Sequence, residues 1–435
     1  MPSVACATQD VGVDQSGPPP KPQGEPMKIR RSRWIAGSTL VVVAVVAAAC
    51  SSSKSSTQST TATTAASTPS TAAVTAISVT SFGADFSAMA GLKSVASSGK
   101  GLIGVLLPDT TTSTRYVSYD APDLTKAFQA AGLTSSDFKI DNAQGSAATM
   151  QTQAEADITA GASVLLVDAL DSGSGAAIEA NATSKGVKVI DYDRLVKGGS
   201  SGRVYVSFDN VKVGQLIGQG EVDCIKSWNV KTPNILIMDG DPTDNNATLF
   251  AQGYNGVLQP YFDNHSYVKV GEPAGTWTPS VAQTTFSQQY TAHPNINAVV
   301  TPNDDNANAV IAYLQSKSIP AKTFPTTGQD ASLPGLQNIL KGYQCGTVYK
   351  PIYLEAQAAA AVALYLRAGQ TAPAGLVNGT TQDTTANAAV PSSLGVPIWV
   401  TVDNMASTVV KDQFQTASAI CITVVATACK TYGIG

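Results

Sequence analysis

Short apolar runs of this chain end repeatedly in clusters of carboxylate, amide and basic side chains. The clusters are Pro108-Asp109, Asp191–Arg194, Asp209-Asn210, Asp239–Asp241, Asn303–Asp305 and Gly328–Asp330. Such groups donate and accept hydrogen bonds, and one guanidinium or carboxylate can serve two neighbouring groups of a polar ligand. The chain has only two histidines, His265 and His293, whose spacing does not suit a metal site and which leave little material for a Ser-His-Asp triad. The pattern favours ligand binding over histidine-dependent catalysis.

Most of these clusters follow short runs that have the composition of buried parallel strands. These runs are Leu102–Leu107, Ser163–Val167, Val187–Ile190, Arg203–Phe208, Asn234–Met238 and Asn297–Val300. Helices are predicted between them, over Ala147–Ala160, Gly175–Lys185, Val211–Ser227, Ala307–Ser316 and Ile352–Leu366. This alternation is typical of βαβ units. Because ligands bind outside the carboxyl ends of the strands in open parallel sheets, the polar clusters should converge on one rim of each sheet.

The composition is that of a globular protein. The 435 residues are 43% hydrophobic and 13% charged, which excludes a disordered chain. The net charge of −4 and the pI of about 5.2 provide none of the basic surface that nucleic-acid binding requires. We therefore predict no nucleic-acid partner.

The N-terminal region has the pattern of an export signal. Four basic residues between Lys28 and Arg33 precede a 15-residue stretch, Ile35–Ala49, which is short for a membrane-spanning helix. The sequence Ala47–Cys50 resembles a bacterial lipobox, so Cys50 is predicted to be the lipidated first residue of the mature protein. A plain membrane anchor is the alternative, and either Met1 or Met27 could be the true start.

A tether is predicted to follow Cys50. Of the 21 residues from Ser51 to Thr71, 15 are Ser or Thr, a composition that cannot bury a core and behaves as a flexible linker. Apolar residues near Phe86, Met89 and Leu92 recur at helical spacing and predict a short helix before the first strand. The first two segments are thus a signal region over 1–49 and a tether with this helix over 50–97.

Four cysteines remain after Cys50, an even number in a chain that is predicted to be exported. Cys421 and Cys429 are close enough in sequence to join a terminal loop, which leaves Cys224 to pair with Cys345. Four buried free thiols are the alternative. The chain has no CxxC spacing and no complete phosphate-binding glycine motif, so we predict no metal and no cofactor.

Five motifs in a fixed order indicate a family. They are Tyr192–Arg194, Val206–Asn210 with Val213-Gly214, Asp244–Ala247 with Leu249-Phe250, Gly328–Asp330 and Thr347–Pro351. In this order the chain resembles the type I periplasmic sugar-binding proteins of ABC transporters, most closely their D-xylose-binding group, from about residue 100 to about residue 410. Each motif alone is weak, and the occurrence of all five in the right order carries the resemblance.

The resemblance implies a fold with two lobes. In that family two doubly wound α/β lobes with parallel sheets are joined by three hinge crossovers. Here the crossovers should lie near Phe208–Val211, Val348–Ile352 and Ile398–Asn404. The N-terminal lobe would comprise 98–208 plus 352–398, and the C-terminal lobe 209–351 plus 399–435.

The resemblance also implies a ligand site. Charged and amide groups suit the hydroxyl belt of a pyranose, and aromatic rings suit its C–H faces. The corresponding residues are Arg115, Tyr116, Asp193, Arg194, Asn246, Trp277, Asn303, Asp304, Asp330 and Lys350. Tyr116 stands where the family pattern leads us to expect Trp, so the sugar preference stays open. Asp330 could instead cap a helix over Ser332–Leu340.

Three functions are compatible with these residues. The first is a lipid-anchored, monomeric receptor outside the cell membrane that binds an aldopentose, hexose or polyol and delivers it to an ABC permease without reaction. The second is a sugar sensor of the same fold that docks on a membrane signalling protein. The third is a glycosidase that uses Asp193 and Asp330 as acid and base. We expect the first, and therefore no enzyme activity.

Overall fold

The computed structural model describes residues 77–435, so the predicted signal region, Cys50 and most of the tether lie outside the described residues. The strands are β1 Leu102–Leu107, β2 Phe138–Asn142, β3 Ala162–Val167, β4 Lys188–Tyr192, β5 Val204–Phe208, β6 Asn234–Ile237, β7 Val268–Gly271, β8 Ala298–Val300, β9 Thr347–Tyr349, β10 Gly379–Asp383, β11 Ala388–Gly395 and β12 Ile398–Val400. The helices are α1 Lys93–Ser98, α2 Ala121–Ala130, α3 Ala147–Thr159, α4 Ser172–Ser184, α5 Asn210–Ser227, α6 Asn245–Asp263, α7 Pro279–Ala292, α8 Asp304–Ser316, α9 Leu333–Lys341, α10 Ile352–Arg367, α11 Ala417–Ile420 and α12 Ala426–Thr431.

The first sheet has seven strands in the order β10-β11-β5-β4-β3-β1-β2. All neighbours are parallel except β10, which pairs antiparallel with β11 at one edge. The strand order 2-1-3-4-5 within this sheet is that of a doubly wound fold. Strands β1 and β3 are buried almost throughout, since helices cover both faces of the sheet.

The second sheet is built from β7, β6 and β8, which are parallel. Two isolated bridges extend it, one from Val299 to Thr326 and one from Gln329 to Val348 in β9. Strand β12 pairs antiparallel with β9 at the far edge. The protein therefore has the type I periplasmic-binding-protein fold, with two α/β lobes of mixed, mainly parallel sheets.

The chain passes between the two sheets three times. The first passage joins β5 to α5 and the second joins β9 to α10, at the two predicted positions. The third passage lies between Gly395, the end of β11, and Ile398, the start of β12. The predicted third crossover at 398–404 is therefore too late, because β12 already pairs with β9. We propose lobe boundaries at 208/209, 351/352 and 395/396.

Residues that precede β1 pack on the first lobe. Two short turns, Val79–Ser81 and Ser87–Leu92, lead into α1. Ile77, Phe82 and Met89 belong to the same hydrophobic cluster as β1. The predicted tether boundary at 97/98 therefore lies inside a packed region, since the apolar side chains before it cover the first lobe.

Both predicted disulfides are present. Cys224 of α5 pairs with Cys345, which precedes β9, with a Cα–Cα distance of 5.7 Å. Cys421 pairs with Cys429 across the C-terminal helices, with a Cα–Cα distance of 5.9 Å. The first disulfide joins α5 to the β9 end of the second lobe, and the second one fixes the C-terminal segment.

Helices α5 and α6 approach closely through glycines. A Cβ atom built on Gly214 would lie 2.1 Å from the carbonyl oxygen of Phe250, closer than any side chain tolerates. This approach brings the starts of both helices together, so that the Nδ2 atom of Asn210 donates to Oδ1 of Asn246 at 2.9 Å. The glycines of the motifs therefore serve helix packing beside the hinge.

Candidate functional site

The polar strand ends of both sheets meet around one cavity. Nine of the ten predicted binding residues line the cavity: Arg115, Tyr116, Asp193, Arg194, Asn246, Trp277, Asn303, Asp330 and Lys350. The tenth, Asp304, does not. Thr112, Ser113, Asp244, Phe250 and Gln329 complete the lining.

Arg115 is the centre of a buried ion network on the first lobe. Its Nε and Nη2 atoms donate to both carboxylate oxygens of Asp120, at 2.9 and 2.7 Å. Nη1 donates to Asp193 at 2.7 Å and Nη2 to Glu355 at 2.8 Å. These bonds use four of the five N–H groups of a guanidinium, and they fix its plane at the cavity wall. Arg115 is therefore chiefly a residue that orients Asp193.

One arginine cannot neutralise three carboxylates, and the pKa of Glu355 is clearly raised. Burial raises its pKa to about 8, although Arg115 acts to lower that value. Its Oε1 atom is buried and has no hydrogen-bond partner in residues 77–435. Burial also acts to raise the pKa of Asp193, but Arg115, Lys350 and Arg194 together keep it below its ordinary value. Asp193 is thus an anion that can accept hydrogen bonds from a ligand.

The backbone of Asp193 is held as firmly as its side chain. Its φ angle of 57° lies in the left-handed region, which is uncommon for a residue with a Cβ. Its carbonyl oxygen accepts hydrogen bonds from the Tyr205 hydroxyl at 2.9 Å, the Ser207 hydroxyl at 2.8 Å and Nδ2 of Asn246 at 2.9 Å. The bond from Asn246 joins the start of α6 in the second lobe to the first lobe. Asn246 therefore joins the two lobes. Its amide oxygen and its amide nitrogen both form hydrogen bonds within the protein.

Arg194 also connects the lobes. Its Nη2 atom donates to the Tyr116 hydroxyl at 2.8 Å, and its guanidinium carbon lies 5.7 Å from the centre of the Tyr116 ring. Its Nε lies 3.4 Å from Asp168 in the first lobe and 3.2 Å from Asp244 in the second. Asp168 is fully buried, and neither of its oxygens has a hydrogen-bond partner in the described chain. Arg194 is thus the nearby cation that compensates this carboxylate.

Lys350 lies between carboxylates of the two lobes at the second crossover. Its Nζ is 3.7 Å from Asp193 and 3.6 Å from Asp330, slightly beyond hydrogen-bond distance of both. Asp330 has a φ angle of 97°, and its Oδ1 is buried without a hydrogen-bond partner in residues 77–435. Burial raises the pKa of Asp330, an effect that Lys350 opposes. An ammonium and a carboxylate with unused hydrogen-bonding capacity therefore face one cavity.

Aromatic rings supply the apolar part of the lining. Trp277 contacts Phe250 edge to face, with ring centres 6.4 Å apart, and lies directly over Gly240. Its Nε1 donates to Asp244 at 3.0 Å, which fixes the rotation of the indole. Asp244 in turn caps α6 by accepting from the backbone N–H of Asn246. A flat apolar surface is thus held beside the charged groups, as a ligand with both polar edges and C–H faces requires.

Asp304 faces away from the cavity, which corrects its predicted role. It is the first residue of α8, and its carboxylate accepts from the backbone N–H of Ser332 at 2.7 Å and from Nε2 of Gln344 at 2.7 Å. Burial raises its pKa to about 8. Its neighbour Asn303 caps α8 through Oδ1 and lines the cavity. Two adjacent residues at a helix start point in different directions, so only one can face the ligand.

Asp330 is not the cap of the following helix. The Ser332 hydroxyl accepts from the backbone N–H of Gly335 and caps α9, which begins at Leu333. This leaves the Asp330 carboxylate to the cavity. The alternative interpretation of Asp330 as a helix cap is therefore wrong.

The sequence interpretation missed five lining residues. Asp244, Phe250 and Gln329 stand inside the quoted motifs, so the motifs contained a signal that was not assigned to the site. Thr112 and Ser113 lie in the loop after β1 that Asp109 organises by accepting from the backbone N–H groups of Thr111 and Thr112. Their Ser/Thr-rich stretch carries no pattern that distinguishes it from an ordinary loop.

The lining residues carry three cations and three carboxylates. Arg115, Arg194 and Lys350 face Asp193, Asp244 and Asp330, and every one of these side chains is largely buried. Because Arg115 and Arg194 also pair with Asp120, Asp168 and Glu355, an anionic ligand would find no uncompensated cation here and would lose its hydration. Among residues 77–435 no group of His, Cys, Asp and Glu has the arrangement of a metal site. The arrangement suits a neutral ligand rich in hydroxyls.

Comparison with known proteins identifies the relatives of the chain. The sequence pattern of the periplasmic binding protein domain family matches residues 103–371. The D-xylose-binding periplasmic protein of Escherichia coli is 36% identical over 286 residues, which cover 65% of this chain and 82% of the relative. The multiple sugar-binding periplasmic protein SbpA of Azospirillum brasilense is 30% identical over 331 residues, 73% of this chain and 90% of its own.

Solved structures agree with this relationship. A carbohydrate transporter solute-binding protein from Chloroflexus aurantiacus in complex with D-glucose has a TM-score of 0.65 and 26% identity. The alignment covers 74% of this chain and 98% of that one. An ABC transporter solute-binding protein from Clostridium phytofermentans with bound β-D-glucose also has a TM-score of 0.65, with 27% identity over 73% and 99% of the two chains.

Proposed function

The chain belongs to the periplasmic binding protein family, and from this premise we propose that it is a monosaccharide receptor that delivers its ligand to an ABC permease. The proposed ligand is a neutral aldopentose such as xylose, or a related hexose or polyol. The receptor would bind the sugar between its lobes as a monomer, without reaction. Its relatives are named as binding proteins, which supports a function without catalysis.

One observation carries the choice of ligand class. The cavity presents donors and acceptors that residues 77–435 leave without a hydrogen-bond partner, namely Nζ of Lys350, Oδ1 of Asp330 and Oε1 of Gln329, beside Trp277. A hydroxyl group is both a donor and an acceptor, so a row of hydroxyls can satisfy both kinds of atom. The C–H face of the same ring can cover the indole.

We propose that the protein is exported and anchored through a lipid on Cys50 to the outer face of the cell membrane. Within residues 77–435, no helix combines the length and the apolar character that a membrane crossing needs. The basic residues before Ile35 and the lipobox-like Ala47–Cys50 support the lipid anchor. The Ser/Thr-rich tether would then let the lobes reach a permease.

A thermal-shift screen tests the ligand class. D-xylose, D-glucose and myo-inositol are compared with D-glucuronate, which has a similar ring but carries a negative charge. A neutral ligand present at about 100 times its Kd should stabilise the protein by about 2.7 kcal/mol, whereas D-glucuronate should not. Lack of any shift with neutral sugars and polyols would contradict the proposal, and turnover of aryl glycosides would favour the glycosidase alternative. Loss of labelled-sugar uptake in cells that lack the protein would test the delivery step.

A further inference from the structure

A short segment after β12 forms a contact between the lobes outside the cavity. The ring of Phe414 stacks on Tyr119, with ring centres 4.0 Å apart and an angle of 20° between the planes. Nε2 of the next residue, Gln415, donates to the Tyr119 hydroxyl. Asp412 accepts from the hydroxyl of Tyr353 at 3.1 Å. We name residues 412–415 the clasp segment.

The two sides of this contact belong to different lobes. Tyr119 lies in the π-helical turn Tyr116–Asp120, and Tyr353 lies in the first turn of α10, both in the first lobe. The clasp segment follows β12, whose partner is β9 of the second lobe. Asp412 accepts from Tyr349 of β9 at 3.2 Å as well as from Tyr353, so one carboxylate bridges strand β9 and helix α10.

The clasp segment is fastened to the second lobe. Beyond it, Ile420, Val425 and Cys429 are buried in the cluster that also contains residues of α9. Nε2 of Gln337 in α9 donates to the carbonyl oxygen of Ala419 at 3.1 Å. The Cys421–Cys429 disulfide closes this segment on itself. The clasp segment should therefore move with the second lobe when the two lobes rotate relative to each other.

The other end of the contact reaches the binding site. The π-helical turn that carries Tyr119 also carries Tyr116, which lines the cavity, and Asp120, which holds Arg115 in two hydrogen bonds. A rigid rotation of the first lobe that withdraws these residues from the cavity also moves Tyr119. A stacked pair at 4.0 Å loses most of its contact after a displacement of a few ångströms, because dispersion attraction falls steeply with distance.

We infer that residues 412–415 are a noncovalent fourth connection between the lobes, which stabilises the closed state and slows release of the ligand. Tyr119 and Phe414 are positioning residues, since neither lines the cavity. The inference rests on the closure of two lobes in the proposed function. An aromatic stack of this kind shifts an equilibrium by about two- to ten-fold. Removing it should therefore increase the open population, and the release rate of the ligand, by about that factor.

The first measurement needs no ligand. Hydrogen exchange in the full-length protein is followed by mass spectrometry for peptides that contain Asp193 and Asn246, whose neighbourhood becomes exposed when the lobes separate. Phe414→Ala should accelerate exchange of these peptides about two- to ten-fold and leave β1 unchanged. The control is Tyr261→Ala, which removes a similar stack, with Tyr267 at 4.6 Å, within the second lobe. That variant should leave exchange at the cavity unchanged.

The second measurement is stopped-flow release of D-xylose. Phe414→Ala should release it about two- to ten-fold faster with an unchanged association rate, and Phe414→Tyr should restore the wild-type rate. If Phe414→Ala does not fold, the double variant Asp412→Ala with Gln415→Ala keeps both rings and removes the polar contacts. Unchanged exchange at the cavity in a folded clasp variant overturns the inference. If D-xylose does not bind, the exchange measurement still decides, so the clasp and the proposed function fail separately.

Discussion

Asp330 provides a direct test of the site, because the protein itself makes little use of its carboxylate. Oδ1 is buried without a hydrogen-bond partner in the described chain, and its one close cation is Lys350 at 3.6 Å. The backbone N–H of Asp330 donates to Val348, a bond that a side-chain change leaves in place. Asp330→Asn keeps the size of the side chain and replaces a charged acceptor by a weaker neutral one.

The expected effect follows from the strength that a bond to a ligand hydroxyl would lose. A hydrogen bond to a charged group contributes about 1.5–3 kcal/mol and one between neutral groups about 0.5–1.5 kcal/mol, so the difference of about 1–1.5 kcal/mol corresponds to a roughly five- to twelve-fold rise in Kd. The free energy of unfolding should change less than this, since no hydrogen bond to the carboxylate from residues 77–435 is removed and Lys350 keeps its contact with Asp193. Titration calorimetry with the sugar that stabilises the wild type most measures the first quantity, and urea unfolding measures the second.

Asp403→Asn is the matched control. Asp403 is an exposed carboxylate of the second lobe, outside the cavity lining, so its removal changes the net charge by the same amount without touching the site. Its Kd should equal that of the wild type. A Kd of Asp330→Asn within two-fold of the wild-type value would refute the assignment of Asp330 to the ligand.

Three further predictions concern stability and export. Burial raises the pKa of Glu355 to about 8, whereas a glutamate in the unfolded chain has a pKa of about 4.3. Between these two pH values the folded protein keeps a proton on Glu355 that the unfolded chain has lost. The free energy of unfolding should therefore fall as the pH rises from 5 to 9, by at most about 1.4 kcal/mol per pH unit. Urea unfolding at several pH values measures this slope, and Glu355→Gln should reduce it; equal slopes would contradict the assignment. Gly214→Ala should destabilise the protein by about 1–3 kcal/mol, because the new Cβ clashes with the Phe250 carbonyl. Gly256→Ala, which has open space around it, should stabilise the protein by about 0.5–1 kcal/mol. If thermal unfolding ranks the two variants in the opposite order, the close approach of α5 and α6 is not required for stability. Mass spectrometry of protein from a lipoprotein-competent host should find a diacylglyceryl group on Cys50, and a membrane-bound form that retains its N-terminus upstream of Arg33 would disprove the lipoprotein signal.

The strands and the order of the motifs could be read from the sequence because both are local. Leu102–Leu107 is a continuous apolar run and forms β1 with the predicted bounds. Motif order then assigned residues to one rim of each sheet, which is why nine of ten predicted residues line the cavity. The direction of a side chain at a helix start is not local information. Asn303 and Asp304 have similar polarity, and only the packing of Ser332 and Gln344 against α8 shows which one faces away.

Contacts between distant parts of the chain were beyond sequence reasoning for a different reason. Tyr119 and Gln415 are separated by 296 residues, and no periodicity connects them. The third crossover was placed too late because β11 and β12 are separated only by Val396 and Pro397, which give no sign that the chain changes sheets there. Such features depend on the assembled lobes, which no local pattern of residues describes.

In the proposed receptor, the polar contacts of the site are divided between the protein and the ligand. The hydrogen bond from Asn246 to the Asp193 carbonyl and the ion pair of Arg194 with Asp244 join the lobes within the protein itself. These contacts would lower the free energy of closure before the ligand contributes. The ligand then needs to supply only the rest of the free energy of closure, through contacts with atoms such as Nζ of Lys350 and Oδ1 of Asp330. A ligand shifts the equilibrium between open and closed lobes only by the difference in its affinity for the two states. If the free energy that the ligand must supply is small, few contacts suffice for closure, and the ligand can leave when the lobes reopen.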